Sequence, residues 1–277
     1  VATRPYGNNI LITGASSGIG LACALFFARY GYHVWGVSRS GACERVLPDL
    51  VHLSSMDVTD DQSVAEGTHR IWEEAVYMTG DGIGTVIHCA GFGIGGSAED
   101  TPLEAVYSQF ETNYFGVLRV NGNLLPLMRS RGPSLVIVLG SVAGKIGIPF
   151  QSHYSSTKFA LEAYIEALRM EGKALGIRAT VIEAGDTSTP FTQRRNKVIH
   201  ERSVYRDSAS RALETMERDE QRGYSADTVA KVVFKTAQST HPPVRRCVGT
   251  SYALLLVLKR LLPDRIVESI LMHKYHV

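Results

Sequence analysis

The stretch from Asn9 to Gly20 constrains this chain more than any other. An apolar run, Asn9 to Thr13, passes without a break into Thr13-Gly14-Ala15-Ser16-Ser17-Gly18-Ile19-Gly20, and a largely apolar segment then continues to Tyr30. A short buried strand, a glycine turn and a helix form the opening unit of a parallel sheet covered on both faces. Glycines let the backbone turn tightly and approach a pyrophosphate, while the helix start offers unpaired N–H groups and the positive end of its dipole. Gly14, Ser16, Ser17, Gly18, Ile19 and Gly20 are therefore candidate phosphate contacts. A glycine cluster also serves many ordinary strand-to-helix turns, so the function must be read from independent positions.

The rest of the chain keeps the alternation. Strands are expected at Asn9–Thr13, His33–Ser38, Val51–Ser54, Thr85–Ala90, Leu135–Leu139, Ala179–Glu183 and Arg246–Gly249, separated by helical lengths. Gly31 suits the end of the first helix. With 277 residues, a hydrophobic fraction of 44% and no repeat or low-complexity linker, the expected architecture is α/β. It is a single-domain, Rossmann-type doubly wound parallel sheet with helices on both faces and a C-terminal helical extension over residues 250–277. The stretch from Asp186 to Arg222 is polar and charged, without a strong apolar period. It is expected to be a substrate lid, the alternative being a solvated helical insertion.

Bulk properties exclude several classes. Lys and Arg (29) nearly balance Asp and Glu (27), so no strong field marks a nucleic-acid binder. Cys23, Cys43, Cys89 and Cys247 form no CxxC pair, which argues against a metal or disulfide scaffold and for a reducing, cytoplasmic setting. VATRPYGNN has no apolar h-region, so no signal peptide is expected. The uncharged run Val248 to Leu258 is too short to span a bilayer.

The end of the second strand selects the cofactor. A carboxylate there would accept from the ribose 2′-OH of NAD, whereas this chain reads Val37-Ser38-Arg39. The Arg39 guanidinium can clasp a 2′-phosphate through charge-assisted bonds, with Ser38 adding a hydroxyl, so NADP(H) is the expected cofactor. The alternative is a surface arginine at a strand end.

Tyr154 and Lys158 stand four apart on an expected helix running to about Leu175, which puts both on one face. Ser141 ends the fifth apolar run, thirteen residues earlier. With twelve tyrosines in the chain a lone YxxxK is weak, so its value lies in the company it keeps. The glycine spacing (three residues between the first two, then Gly-Ile-Gly), Asn113, Ser141 and Tyr154-x-x-x-Lys158 together resemble the short-chain dehydrogenase/reductase family.

That resemblance implies roles for further positions. Asp57 and Val58 would flank the adenine. Ala90 and Gly91 would approach the ribose in His88-Cys89-Ala90-Gly91, where the family carries Asn-Asn-Ala-Gly, so His88 and Cys89 depart from the pattern. Gly185, Thr187 and Thr189 would contact the nicotinamide, with Ala184 in place of the family's proline. Lys158 would also bond the ribose hydroxyls, Ser141 would hold the substrate oxygen, and Asn113 would hold a water that relays a proton. An ordinary tyrosine titrates near 10, and a nearby ammonium and the nicotinium charge are expected to lower Tyr154 so that it serves as general acid and base. A homodimer or homotetramer packed through the helices bearing Asn113 and Tyr154 is also implied.

The tail, Tyr252 to Pro263, and Pro242 to Gly249 resemble the branch of that family containing 17β-hydroxysteroid and retinol dehydrogenases. A lipophilic carbonyl or alcohol (steroid, retinoid or long-chain lipid) is then the expected substrate, with peripheral membrane contact through the tail. The tail reads equally as core or as an oligomer interface. Other readings are a reductase of small carbonyls, a non-catalytic NADP(H)-binding redox sensor, a sugar-nucleotide epimerase or dehydratase, and a structural lipid-surface protein.

Overall fold

The computed structural model describes residues 4–277; Val1 to Thr3, the start of the N-terminal stretch expected to lack a leader, lie outside the described residues. Seven parallel strands form one sheet: β1 (Asn9–Thr13), β2 (His33–Ser38), β3 (Val51–Ser55), β4 (Thr85–His88), β5 (Ser134–Ser141), β6 (Ile177–Ala184) and β7 (Arg245–Cys247). Their order across the sheet is β7-β6-β5-β4-β1-β2-β3. The direction of winding reverses between β1 and β4, and the crevice beyond their C-terminal ends is where such folds bind ligands.

β1 reads as an unbroken apolar run because both faces are covered. Ile10 and Ile12 point into a cluster with Phe27, Val229, Val233 and Phe234, contributed by helices α1 (Gly18–Arg29) and α7 (Ala226–Ala237). Leu11 points the other way, into a cluster with Ile71, Leu124, Leu161 and Ile165. Those come from α2 (Asp61–Thr79), α4 (Gly116–Arg131) and α5 (Ser152–Glu171). Alternation along each strand feeds the two layers, and each such side chain contributes about 1.5–3 kcal/mol by leaving water.

The strands expected at Asn9–Thr13 and His33–Ser38 coincide with the observed ones, while β5 and β6 extend further at both ends. β4 stops at His88 because the chain turns there to meet the glycine turn: Cys89 N donates to the Thr13 carbonyl at 3.2 Å. The last strand ends at Cys247, and Gly249, at φ 89°, turns the chain into α8 (Thr250–Leu261).

One expectation needs correcting. Residues 186–222 do carry an apolar period, on α6 (Arg206–Gln221), where Ala209, Ala212, Leu213 and Met216 are buried at helical spacing. Small alanines and dense flanking charge hide it. α9 (Asp264–Tyr275) packs on α6: Tyr275 joins the cluster of Ala212, Leu213 and Met216, and Lys274 pairs with Asp219 at 3.0 Å. α8 buries no residue; Leu254 is 60% exposed and Leu261 75%, so this part of the tail does not complete the core. Among the described residues no helix is long and apolar enough to cross a membrane, and no His/Cys/Asp/Glu group could hold a metal ion. All four cysteines are free.

Candidate active site

The glycine turn is built for close approach. Gly14 adopts φ 70°, and a Cβ there would lie 2.7 Å from the Ala90 nitrogen; a Cβ on Gly20 would collide with the Gly14 carbonyl. Thr13 Oγ1 accepts from Cys89 N and Ala90 N, both at 3.2 Å, joining the ends of β1 and β4. Ser17 is the N-cap of α1, yet its side chain does not cap the helix, and no acid stands in the first turn. The helix start is thus left for an anion. Ile19 packs against the core, so there the backbone faces the turn. Ser16 is half-buried.

The positions expected at the adenosine end lie beyond β2 and β3. Ser38 Oγ accepts from Gly41 N at 3.1 Å, and Arg39 is exposed, with its carbonyl accepting from Ser55 Oγ at 2.8 Å. Asp57 Oδ1 accepts from Thr59 N and Thr59 Oγ1 at 2.9 and 2.8 Å, and buried Val58 packs where a Cβ on Gly116 would fall. A hydrogen atom at Gly14, Gly18, Gly20 and Gly91, an uncapped helix start and an exposed guanidinium fit a nicotinamide dinucleotide carrying phosphate groups.

His88 replaces the family asparagine with a bond of its own. Its Nε2 lies 2.9 Å from Asn121 Oδ1, and Asn121 Nδ2 donates to Tyr164 Oη at 3.1 Å. Burial depresses the imidazole to about 4. It is a neutral packing group that ties β4 to α4 and α5.

Asn113 sits in a π-turn, Glu111–Phe115, between α3 (Leu103–Phe110) and α4. Its Oδ1 accepts from Phe92 N at 3.0 Å; its Nδ2 donates to the Phe92 carbonyl at 3.0 Å and to Thr157 Oγ1 at 3.2 Å. Both amide hydrogens are engaged, so the side chain acts as a positioning group between the loop after β4 and the helix of Tyr154.

The structure brings Ser141, Tyr154 and Lys158 together at the C-terminal edge of the sheet. Ser141 ends β5, and its Oγ accepts from Ala143 N at 3.1 Å. Lys158, buried, donates to the Leu139 carbonyl at 2.8 Å and stands 5.6 Å from the Tyr154 ring centroid. Of the two charges expected to lower Tyr154, the ammonium does not by itself bring the phenol below its ordinary value. Burial dominates and pushes Tyr154 up to about 12, opposed by the nearby Ser141 hydroxyl, while Lys158 is itself lowered to about 8 by burial. The phenol is therefore protonated at neutral pH.

The loop after β6 closes one side. Gly185 packs against the Tyr252 ring of α8, where a Cβ would collide. Thr187 Oγ1 donates to the Gly185 carbonyl at 2.9 Å, and Thr189 lies over Gly18. Of the two threonines, Thr189 is the one beside the glycine turn. Sequence reasoning passed over three neighbours here. Phe191 lies 5.7 Å from the Tyr154 ring; Arg195, fully buried, ion-pairs with Glu220 of α6; and Arg194 donates to Ser17 Oγ at 2.8 Å. The only signal in the sequence was the pair of consecutive arginines.

Sheet order, glycine turn and the Ser141–Tyr154–Lys158 cluster define a class of oxidoreductase. The chain belongs to the short-chain dehydrogenase family, whose model matches residues 8–199. It is 35% identical over 262 residues to the 3-ketodihydrosphingosine reductase of Bacteroides thetaiotaomicron, covering 94% of each chain. It is 30% identical over 279 residues to retinol dehydrogenase 8 of Bos taurus, covering 92% of this chain and 86% of that one. Among solved structures, a short-chain dehydrogenase from Streptomyces avermitilis superposes with a TM-score of 0.76 at 25% identity, over 98% of this chain and 97% of the other.

Proposed function

We propose that this oxidoreductase is NADP(H)-dependent and interconverts a lipophilic ketone or aldehyde (steroid, retinoid or long-chain lipid carbonyl) and its alcohol. The observation that carries the reading is Ser141, Tyr154 and Lys158 gathered at the sheet edge where β1 also ends, in a turn with no room for a side chain at Gly14 or Gly20. A nicotinamide dinucleotide bound along that turn supplies or receives the hydride. Ser141 Oγ then donates to the substrate oxygen, favouring the charge that grows on it. In reduction the Tyr154 phenol gives its proton to that oxygen and is left as phenolate; in oxidation the phenolate form takes the proton from the alcohol. Lys158 keeps a cation beside the phenol and bonds the ribose hydroxyls, and Asn113 fixes the helix that carries both. Arg39, with Ser38, engages the 2′-phosphate; Asp57, Val58, Ala90 and Gly91 border the adenosine, and Gly185, Thr187 and Thr189 border the nicotinamide.

The lipophilic substrate is supported by the exposed apolar side chains of α8 and α9, Leu254, Leu258, Leu261, Ile266 and Ile270, interspersed with Arg260 and Arg265. An apolar face with basic residues suits peripheral contact with a membrane. Two relatives are named for a ketodihydrosphingosine and for retinol, which agrees with this class. Residues 186–222 serve as the lid and 250–277 as the extension that flanks it. Exposed Leu103, Tyr107, Phe115 and Phe159, on or beside the helices bearing Asn113 and Tyr154, support a homodimer or homotetramer.

The test is NADPH oxidation by the purified chain against steroid, retinoid, long-chain and small aromatic carbonyls. Turnover confined to small carbonyls would overturn the lipophilic assignment. No turnover with any carbonyl, despite NADPH binding, would overturn the catalytic one.

A further inference from the structure

Two consecutive arginines on the loop after β6 point to different tasks. Arg195 turns inward, fully buried, and pairs with Glu220. Arg194 stays exposed and reaches across 177 positions of sequence to the opening of α1, where its Nη1 donates to Ser17 Oγ at 2.8 Å. The loop lies directly over the turn: a Cβ on Gly18 would be 3.6 Å from Thr189 Cβ and 4.0 Å from Pro190 Cδ. An open groove of about 520 Å³ runs beside them, lined by Ser188, Thr189, Pro190, Gln193 and Arg194.

Ser17 is a weak partner for this cation. An exposed guanidinium gains little from one neutral hydroxyl, whereas on a phosphate it makes charge-assisted bonds about twice as strong and often bidentate. The hydroxyl it holds belongs to the residue that would otherwise cap α1, at a helix start with no acid in its first turn.

We propose that Arg194 is a pyrophosphate-binding residue, which leaves Ser17 Oγ for the dinucleotide's pyrophosphate and draws the 188–194 loop over the cofactor. This rests on the dinucleotide reading proposed above. The division of labour is then chemical. Arg39 meets the 2′-phosphate that only NADPH carries; Arg194 meets the charge that NADPH and NADH share.

Calorimetric titration of the full chain with NADPH, NADH and adenosine 2′-monophosphate tests this. Arg194→Met should weaken both dinucleotides by the same factor, about tenfold, the scale of one charge-assisted hydrogen bond. It should leave adenosine 2′-monophosphate, which has no pyrophosphate, unchanged. Arg39→Met should give the complementary pattern, weakening NADPH and adenosine 2′-monophosphate while sparing NADH. Unchanged dinucleotide affinity in Arg194→Met, or a loss confined to NADPH, overturns the assignment of Arg194 and leaves the cofactor reading standing. Failure of the unmodified chain to bind either dinucleotide overturns both. Should Arg194→Met weaken all three ligands, Arg194→Lys decides: recovered dinucleotide affinity supports the charge contact, and no recovery overturns it.

Discussion

The Tyr252 hydroxyl donates to Asp186 Oδ2 at 2.5 Å and accepts from the Asp186 backbone nitrogen at 3.1 Å, while the Tyr252 ring covers Gly185. The first turn of α8 is thereby stitched to the loop that follows β6. Tyr252→Phe keeps the ring and removes only the hydroxyl, leaving a carboxylate oxygen and an N–H short of a partner. The expected cost is about 1–3 kcal/mol, read from the denaturant midpoint. An unchanged midpoint would show that water serves Asp186 as well as Tyr252 does.

Beyond that first turn α8 leaves its apolar side chains exposed, which makes its proposed part in substrate selection testable. Because Leu254, Leu258 and Leu261 are exposed, changing all three to Gln should leave the melting temperature nearly where it was. Turnover of a bulky apolar ketone should fall relative to a small one. A preserved ratio in a stable triple variant would remove the tail from substrate selection.

Tyr154→Phe should lower turnover by about 10²–10⁴-fold, the usual scale of general acid–base catalysis. The phenol stands beside Lys158 and is not one of the expected phosphate contacts, so NADPH affinity should hold to within a small factor. Substantial activity in this variant would assign the proton to another group.

Arg39→Asp should reverse the cofactor preference. A carboxylate at the end of β2 repels a 2′-phosphate and accepts from a ribose 2′-OH, so the NADPH Kd should rise as the NADH Kd falls. Equal affinities in the unmodified protein would end the NADP(H) assignment.

His88 makes stability depend on pH. Its folded value of about 4 lies below the ordinary 6.5, so the unfolded chain binds the extra proton first as pH falls. The contribution of the neutral imidazole is complete above about 6.5 and is lost as pH drops through 4, a difference of about 3 kcal/mol. His88→Asn should flatten the stability profile between those limits. An unaltered slope would locate the acid sensitivity elsewhere.

Legibility followed the range of the forces involved. The Asn9–Gly20 unit was readable because its determinants are local: a run buried on both faces, then glycines demanded by φ and by close backbone approach. Spacing placed Tyr154 and Lys158 on one face for the same reason, since 3.6 residues per turn is a property of the helix itself. The stripe of α6 went unseen because alanines carry little apolar weight between charged neighbours, and only its packing against Tyr275 makes it a buried face.

What the sequence alone determined about this protein is the family architecture, together with the set of candidate site residues. The tertiary structure decided how those groups are tuned and enclosed. Burial holds the Tyr154 phenol above its ordinary range. His88 takes over the bracing of β4 through Asn121, Arg194 finds Ser17 across 177 positions, and Tyr252 finds Asp186 across 66. Contacts of that range leave no periodicity in the chain, and desolvation depends on every element packed around a group, so neither exists until the fold has closed.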